Sequence, residues 1–534
     1  MKKITDRLLM TDYLRDESRK SGDADEVLFP ESEEEVISIL KKDPAACLTT
    51  QGSRTGLTAG CVPFGGSVIS MERMNKVISI TDEKDAEGKA DPEHPALTAV
   101  VQPGIALQVF RDELFKKGLF FTPDPTETSA SIGGMISCNS SGARSYRYGA
   151  VRPHVRSIRA ALRSGEMLKL TRGVEKACGL DFCLKTENGR EIKGKLPDIK
   201  MPDVSKHTAG YYIRPDMDLI DLFIGAEGTL CIITEAELTL YRAPKHTWGC
   251  VVFFEKEDQA VSFVEEIRAR DRSVMDAGKD GMSGESAGCG NAVDDHGYIL
   301  QAEAIEYFDH NTLAMIRNDQ LEDAVLQESE TVPAGRCAVY IEHISEKREE
   351  LLSTYGAVKD IVERLGASPA ETWLAANIVY LEKLKEFRHA APVCVNHRIA
   401  EIKKQYPEIT KLGTDMSVPD GKLRDALSMY RQGLDEGGFT AAVFGHIGNN
   451  HLHVNIIPKD MDEYARGKDM YTGWAGRVAG MGGSVSAEHG IGKLKRWLIK
   501  ELYSPEQMAQ MNEIKKLFDP DELIDRGNVF DNER

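Results

Sequence analysis

Reactive side chains concentrate in two stretches near the C-terminus, Gly445-His446-Ile447-Gly448-Asn449-Asn450-His451-Leu452-His453-Val454-Asn455 and, a strand and a helix later, Ser486-Ala487-Glu488-His489-Gly490-Ile491-Gly492. His451 and His453, two positions apart, share one face of a strand, and His446 lies across the turn made by Gly448-Asn449-Asn450. That spacing brings two imidazoles to one point, and Glu488 adds an anionic oxygen of the kind that completes a divalent-metal site beside nitrogen ligands. His489, next to Glu488, is then available for proton transfer near neutral pH. The competing reading is a set of structural histidines satisfied by their neighbours in a glycine-rich turn. A cluster of this composition favours ligands over spectators.

The chain that must position these groups has 534 residues, 41% hydrophobic and 28% charged, enough for two or three lobes with sizeable cores. Acidic residues outnumber basic ones by 85 to 67, and the formal charge of -18 argues against general affinity for nucleic acid or an anionic membrane surface. The start, Met1-Lys2-Lys3-Ile4-Thr5-Asp6, lacks the apolar core of a signal peptide, and no apolar run is long enough to span a bilayer. Cytoplasmic residence is the expectation, with any membrane association made through a partner. The ten cysteines are scattered without a Cys-x-x-Cys pair, so any iron–sulfur or haem centre belongs to another chain.

Upstream, Ser32 followed by Glu35 reads as a capping box that starts a helix with Val36, Ile37 and Leu40 on its apolar stripe. A short strand, Ala46 to Thr50, leads into Gln51-Gly52-Ser53-Arg54-Thr55-Gly56-Leu57-Thr58-Ala59-Gly60. Small residues, amide donors and one guanidinium suit a pyrophosphate, although the spacing is that of neither the P-loop nor the Rossmann fingerprint. A second small-residue segment runs from Ser131-Ile132-Gly133-Gly134 to Asn139-Ser140-Ser141-Gly142, after Pro123-Asp124-Pro125-Thr126. The third is Ile224-Gly225-Ala226-Glu227-Gly228-Thr229-Leu230-Cys231-Ile232-Ile233. Such segments let the main chain approach a planar ligand, and three of them imply one extended dinucleotide.

These segments, in this order, resemble the FAD-binding domain of the vanillyl-alcohol oxidase, or PCMH-type, flavoproteins. The pair Gly-His…His-x-Asn and Ala-Glu-His-Gly-Ile-Gly resembles the branch of FAD-linked D-lactate and D-2-hydroxyglutarate dehydrogenases, and the resemblance runs from about Pro30 to Phe530. It implies an α+β chain: a two-subdomain FAD-binding domain at 1–243, an α+β cap with the metal site at 244–495, and a segment at 496–534 that returns to the flavin. It also implies that Gly52, Ser53, Arg54, Thr55, Gly56 and Thr58 hold the pyrophosphate. Pro123 and Thr126 would border the flavin, and Ser131, Gly133, Gly134, Asn139, Ser140 and Gly142 would line it. Glu227, Gly228, Ile232 and Ile233 would contact the adenosine or close the site. Gln51 and Cys231 depart from the family pattern, and with no clear anchor for a covalent link FAD is expected to be non-covalent.

After Ala243-Pro244, strands at Val251–Phe254, 300–305 and 338–341 alternate with helices, one beginning near Asp258. The stretch from Ser283 to Asp295 reads as a flexible loop. By resemblance, Arg388 pairs with the substrate carboxylate, a task its planar fork suits, where the alternative is a solvated helix charge. His446, His453 and Glu488 would bind a divalent metal, zinc being the leading choice, with Asn455 supporting the substrate and His489 accepting its hydroxyl proton. His451 stands where the motif commonly has Asn, and its role stays open between spectator, hydrogen-bond donor and ligand. Enzymes for 2-hydroxyglutarate carry a lysine two positions before Asp415, whereas this chain has Gly413 with Lys411 further back, which moves the expectation toward D-lactate. Glycolate or a larger hydroxy acid, and a non-catalytic FAD-bearing electron-transfer subunit, are the alternatives. Electrons would pass to a separate acceptor, an electron-transferring flavoprotein, iron–sulfur protein, quinone or cytochrome. Oligomeric state stays open, a homodimer among the options.

Overall fold

The structure, a computed structural model, describes residues 1–82, 97–279, 302–322, 332–345 and 347–531. The loop expected at 283–295 and the first two residues of the strand expected at 300–305 lie outside them. The chain forms two compact units: one comprises Met1–Gly142, Gly149–Ala243 and Ser484–Arg534, the other Ala143–Tyr148 and Pro244–Gly483. Among the described residues no helix is long and apolar enough to cross a membrane.

In the first unit, strands Glu26–Phe29, Ser67–Ser70 and Leu48–Gln51 run parallel, with Lys2–Ile4 antiparallel at the edge. Helix Glu33–Lys42 places Val36, Ile39 and Leu40 against Leu28, Leu48 and Ile69, the 3.6-residue spacing giving one apolar face. Ser32 caps this helix by accepting from the Glu35 amide, yet the Glu35 carboxylate takes the amide of Glu31 at 2.9 Å, so the expected capping box is displaced by one residue. A five-stranded antiparallel sheet follows in the order Val77–Asp82, Leu97–Val101, Ile232–Thr239, Val155–Ala161, Met167–Thr171.

The C-terminal tail returns to the parallel strand that feeds the loop at 51–60. Leu48 donates to Leu523 O at 2.9 Å and Thr50 to Asp525 Oδ1 at 2.8 Å. The chain passes into this unit after Gly483, where the sequence reading placed the change after residue 495. The bonds of Thr208 to Ser486 and of Lys493 to Thr58, both 2.9 Å, tie the intervening residues to it.

The second unit is built on an eight-stranded antiparallel sheet ordered Trp373–Ala375, His246–Phe254, Cys337–Ser345, Ala302–Phe308, Ala441–Gly445, His451–Ile456, Leu412–Gly413, with Met416–Ser417 also on His451–Ile456. Its strands are longer than their apolar cores alone suggested. Helix Ile378–Gln405 turns Leu381, Leu384, Phe387, Ala391 and Val395 onto Val251, Phe253, Phe308 and Tyr340 of the sheet. That packing buries the strands from which the histidine hairpin extends.

Candidate active site

The imidazoles sit on a hairpin of the second unit. Strand Ala441–Gly445 pairs with His451–Ile456 in a register that sets Phe444 opposite His453. One turn of 3-10 helix, Ile447–Asn449, and left-handed Asn450 (φ 51°) reverse the chain. Gly445, at φ 129°, is required there because a Cβ would stand 2.9 Å from His453 Cδ2. Ring centroids of His446, His451 and His453 lie 5.3, 5.8 and 4.5 Å apart. One ring nitrogen from each lies within 4.8 Å of the others. Thus three imidazoles meet, one more than the spacing argument required.

Two of the three rings are oriented by an acceptor. His446 Nδ1 donates to the buried Glu306 carboxylate at 2.7 Å, and His453 Nδ1 donates to Thr414 O at 2.9 Å. Both acceptors demand a proton on Nδ1, which places the lone pair of the neutral ring on Nε2, the arrangement of metal-ligating histidines. His451 Nε2 lies 3.2 Å from Asp415 Oδ1, both side chains fully buried. Glu306 escaped the sequence reading, although an acidic residue within the otherwise buried strand Ala302–Phe308 was a visible signal.

Asn455 continues the face of His451 and His453 and is buried. Its partner across the ladder is Gly413, where a Cβ would come within 2.7 Å of Asn455 Oδ1 and 3.4 Å of Lys411 Cε. Lys411 therefore runs past the position that lacks a side chain. Arg388 is half-buried, donates to His389 Nε2 at 3.0 Å, and its charge acts on the buried Tyr340 phenol, whose hydroxyl donates to Glu342 at 2.8 Å.

In the first unit the loop at 51–60 is tied by Gln51, whose Nε2 donates to Tyr13 O and Cys61 O, both at 2.7 Å. The departure from the family pattern thus closes the loop. Arg54, in the left-handed region at φ 62°, stacks its guanidinium 4.6 Å from the Tyr13 ring centre. Its Nη1 is buried without a hydrogen-bond partner among the described residues. An unmet cationic donor beside loop amides fits a diphosphate. Ser53 and Thr55 are half-buried beside it and Gly56 is exposed.

The second segment forms helix Ile132–Cys138, capped by Ser131 and closed by left-handed Asn139, whose Oδ1 accepts from the Arg152 amide at 3.0 Å. Glycines here make room for other protein atoms. A Cβ would fall 1.9 Å from Ser131 Oγ at Gly52, 2.5 Å from Pro103 Cβ at Gly133, 3.0 Å from Ser131 Oγ at Gly134 and 1.8 Å from Asp124 O at Gly142. Pro123 is buried, Ser140 half-buried and Thr126 exposed. Ile232 belongs to the core with Leu28 and Leu48, Ile233 is buried beside it, and a Cβ on Gly228 would meet Asp525 Oδ2 at 2.3 Å.

The loop carrying Glu488 and His489 also belongs to this unit. Glu488 Oε2 accepts from Ser141 Oγ at 2.9 Å and from the fully buried ammonium of Lys206 at 3.1 Å, two partners that sequence spacing did not reveal. His489 is half-buried, with Nε2 3.8 Å from Glu488 Oε1, and its carbonyl accepts from Thr58 Oγ1 at 3.3 Å. Glu227, left-handed at φ 52°, accepts from the amides of Ile491 at 2.8 Å and Gly492 at 2.7 Å and thereby holds this loop. Burial pushes its carboxyl up to about 7, against the pull of those two amides and Lys493.

An FAD binding domain model matches residues 24–171, and the model for the C-terminal domain of FAD linked oxidases matches 289–529. The chain carries a PCMH-type FAD-binding domain followed by the C-terminal domain of FAD linked oxidases, as the resemblance implied. A D-lactate dehydrogenase of Anaerostipes hadrus is 26% identical over 97% of this chain and 92% of its own length. A D-2-hydroxyglutarate dehydrogenase of Stutzerimonas stutzeri is 26% identical over 99% and 96%, and a glycolate oxidase subunit of Bacillus subtilis 24% over 95% and 89%. Among solved structures, alkyldihydroxyacetonephosphate synthase shares the fold with a TM-score of 0.59 at 16% identity, covering 98% of this chain and 82% of that one.

Proposed function

We propose that the protein is an FAD-dependent dehydrogenase of D-2-hydroxy acids, with oxidation of D-lactate to pyruvate as the leading reaction. The observation that carries this reading is the hairpin in which His446 and His453 each have Nδ1 engaged by an acceptor, in a chain with both domains of the FAD-linked oxidases. The Nε2 lone pairs fit a divalent cation, with Glu488 as the carboxylate ligand that its motif implies. Zinc is the leading choice, and it would supply a Lewis acid at the substrate hydroxyl. Gly52 to Thr58 would hold the diphosphate of FAD, which when bound would supply the acceptor for the hydride from C2.

The chain's own residues do the rest. Arg388 grips the carboxylate with two parallel hydrogen bonds, Asn455 orients the substrate, and His489 Nε2 takes the hydroxyl proton. One proton and one hydride leave, giving the 2-oxo acid. Electrons then go to a separate acceptor, an electron-transferring flavoprotein, iron–sulfur protein, quinone or cytochrome, because the cysteines do not form a cluster motif. Glycolate is an alternative substrate. A second reading, oxidation of a dicarboxylate such as D-2-hydroxyglutarate, is favoured by Lys411, whose Cε passes beside Gly413 and can bring an ammonium to the place the missing lysine would serve.

Steady-state turnover with a dye acceptor on matched D- and L-2-hydroxy acids tests the proposal. The expected outcome is activity with D acids alone and the highest kcat/KM for D-lactate. Preference for D-2-hydroxyglutarate that disappears in Lys411→Ala selects the second reading, and inactivity toward every D acid contradicts both.

A further inference from the structure

We propose that His451 is a third imidazole ligand, so that this chain turns a three-histidine face toward its metal where the family motif implies two. The inference rests on the metal reading above. His451 occupies the position at which the motif commonly has Asn, so it is a property of this chain rather than of the pattern.

Three observations support it. First, the ring is central: its centroid lies 4.5 Å from that of His453 and 5.3 Å from that of His446. One nitrogen of each of the three rings falls within 4.8 Å of the others. Second, His451 is fully buried, so its ring stands in the interior beside the other two rather than in solvent. Third, a carboxylate stands against the ring: Asp415 Oδ1 lies 3.2 Å from Nε2, the kind of neighbour that raises the basicity of the other nitrogen. With Asp415 at Nε2, Nδ1 is the ligating atom. Pairing of Met416 and Ser417 with Leu452 and His451 holds the segment after Asp415 to the same strand, so ring and carboxylate move together.

A donor set with three imidazoles selects borderline cations such as Zn²⁺, Co²⁺ and Ni²⁺ over Mg²⁺ and Mn²⁺, more sharply than two imidazoles do. The alternative is that His451 only donates to Asp415 and steadies the hairpin from outside the coordination sphere.

The test uses full-length, FAD-loaded protein and its His451→Asn variant, both equilibrated with Zn²⁺. X-ray absorption at the zinc edge counts imidazoles, and competition with a chelator gives affinity. Three imidazoles in the natural chain and two in the variant are expected, with affinity reduced beyond the about 10–100-fold typical of an outer partner and FAD content unchanged. Two imidazoles in both proteins, with an affinity change inside that range, would overturn the proposal. If the variant does not fold, the count on the natural chain decides alone. Protein that holds FAD but neither Zn²⁺ nor Co²⁺ refutes the metal reading itself, and the proposal with it.

Discussion

The first unit shapes its small-residue loops by leaving side chains out, whereas the second shapes its hairpin by holding side chains in. At Gly52 and Gly142 a Cβ would collide with Ser131 Oγ or Asp124 O at 1.9 and 1.8 Å, so main chain meets protein where any other residue would intrude. In the hairpin, His446 depends on Glu306 of another strand and His453 on Thr414, which lies between two short strands, to aim their rings. A main-chain site tolerates changes such as Gln51 and Cys231 as long as no Cβ appears at the critical positions. A side-chain site fails when any partner is lost, however far away in sequence.

The largest effect should separate chemistry from binding. His489→Asn keeps a hydrogen-bonding side chain but cannot accept the proton, so flavin reduction in stopped flow should slow by about 10²–10⁴-fold with FAD and metal content unchanged. Normal rates would remove His489 from the reaction. Arg388→Lys comes next: loss of the bidentate fork should raise KM by the equivalent of about 1.5–3 kcal/mol, the range for a charged hydrogen bond. Unchanged KM would return Arg388 to a structural role beside Tyr340.

A paired substitution sharpens the contrast between the units. Glu306→Gln should lower metal affinity by about 10–100-fold and leave FAD bound, because it weakens only what orients His446. Gly142→Ala should do the reverse, releasing FAD on gel filtration while metal stays. If both variants lose both groups, the two sites are not prepared independently.

The smallest effect is a pH dependence shared by both units. Burial raises Glu227 to about 7 and Asp525 to about 6 in the first unit, and Asp271 and Glu303 to about 7 in the second. Each folded carboxyl holds its proton more tightly than the unfolded chain does, so the stabilisation is present below the ordinary carboxylate range and is lost as pH rises through about 6 to 7. Calorimetry should show Tm falling from pH 5 to 8, with a shallower slope in Glu227→Gln. A rising Tm over that range would contradict these shifts.

What could be read from sequence follows the same division. The three small-residue loops were legible because glycine and serine runs are local signals, and His446, His451 and His453 because a period of two and a turn are local too. The groups that orient them were not. Glu306 lies 140 residues from His446, and Lys206 and Ser141 lie 282 and 347 residues from Glu488. No pattern along the chain encodes such pairings. Even near neighbours mislead: the Glu35 carboxylate found the Glu31 amide rather than that of Ser32, while a complete capping box formed at Ser504 and Gln507, where none was expected.

The most direct test of the central claim is an anaerobic titration of the purified protein with D-lactate, followed at the flavin absorption band. The account predicts a yellow protein whose flavin bleaches with D-lactate and not with L-lactate, with loss of bleaching after His446→Ala while FAD remains bound. A flavin that stays oxidised with every D-2-hydroxy acid, or that bleaches equally when the hairpin is disrupted, would contradict it.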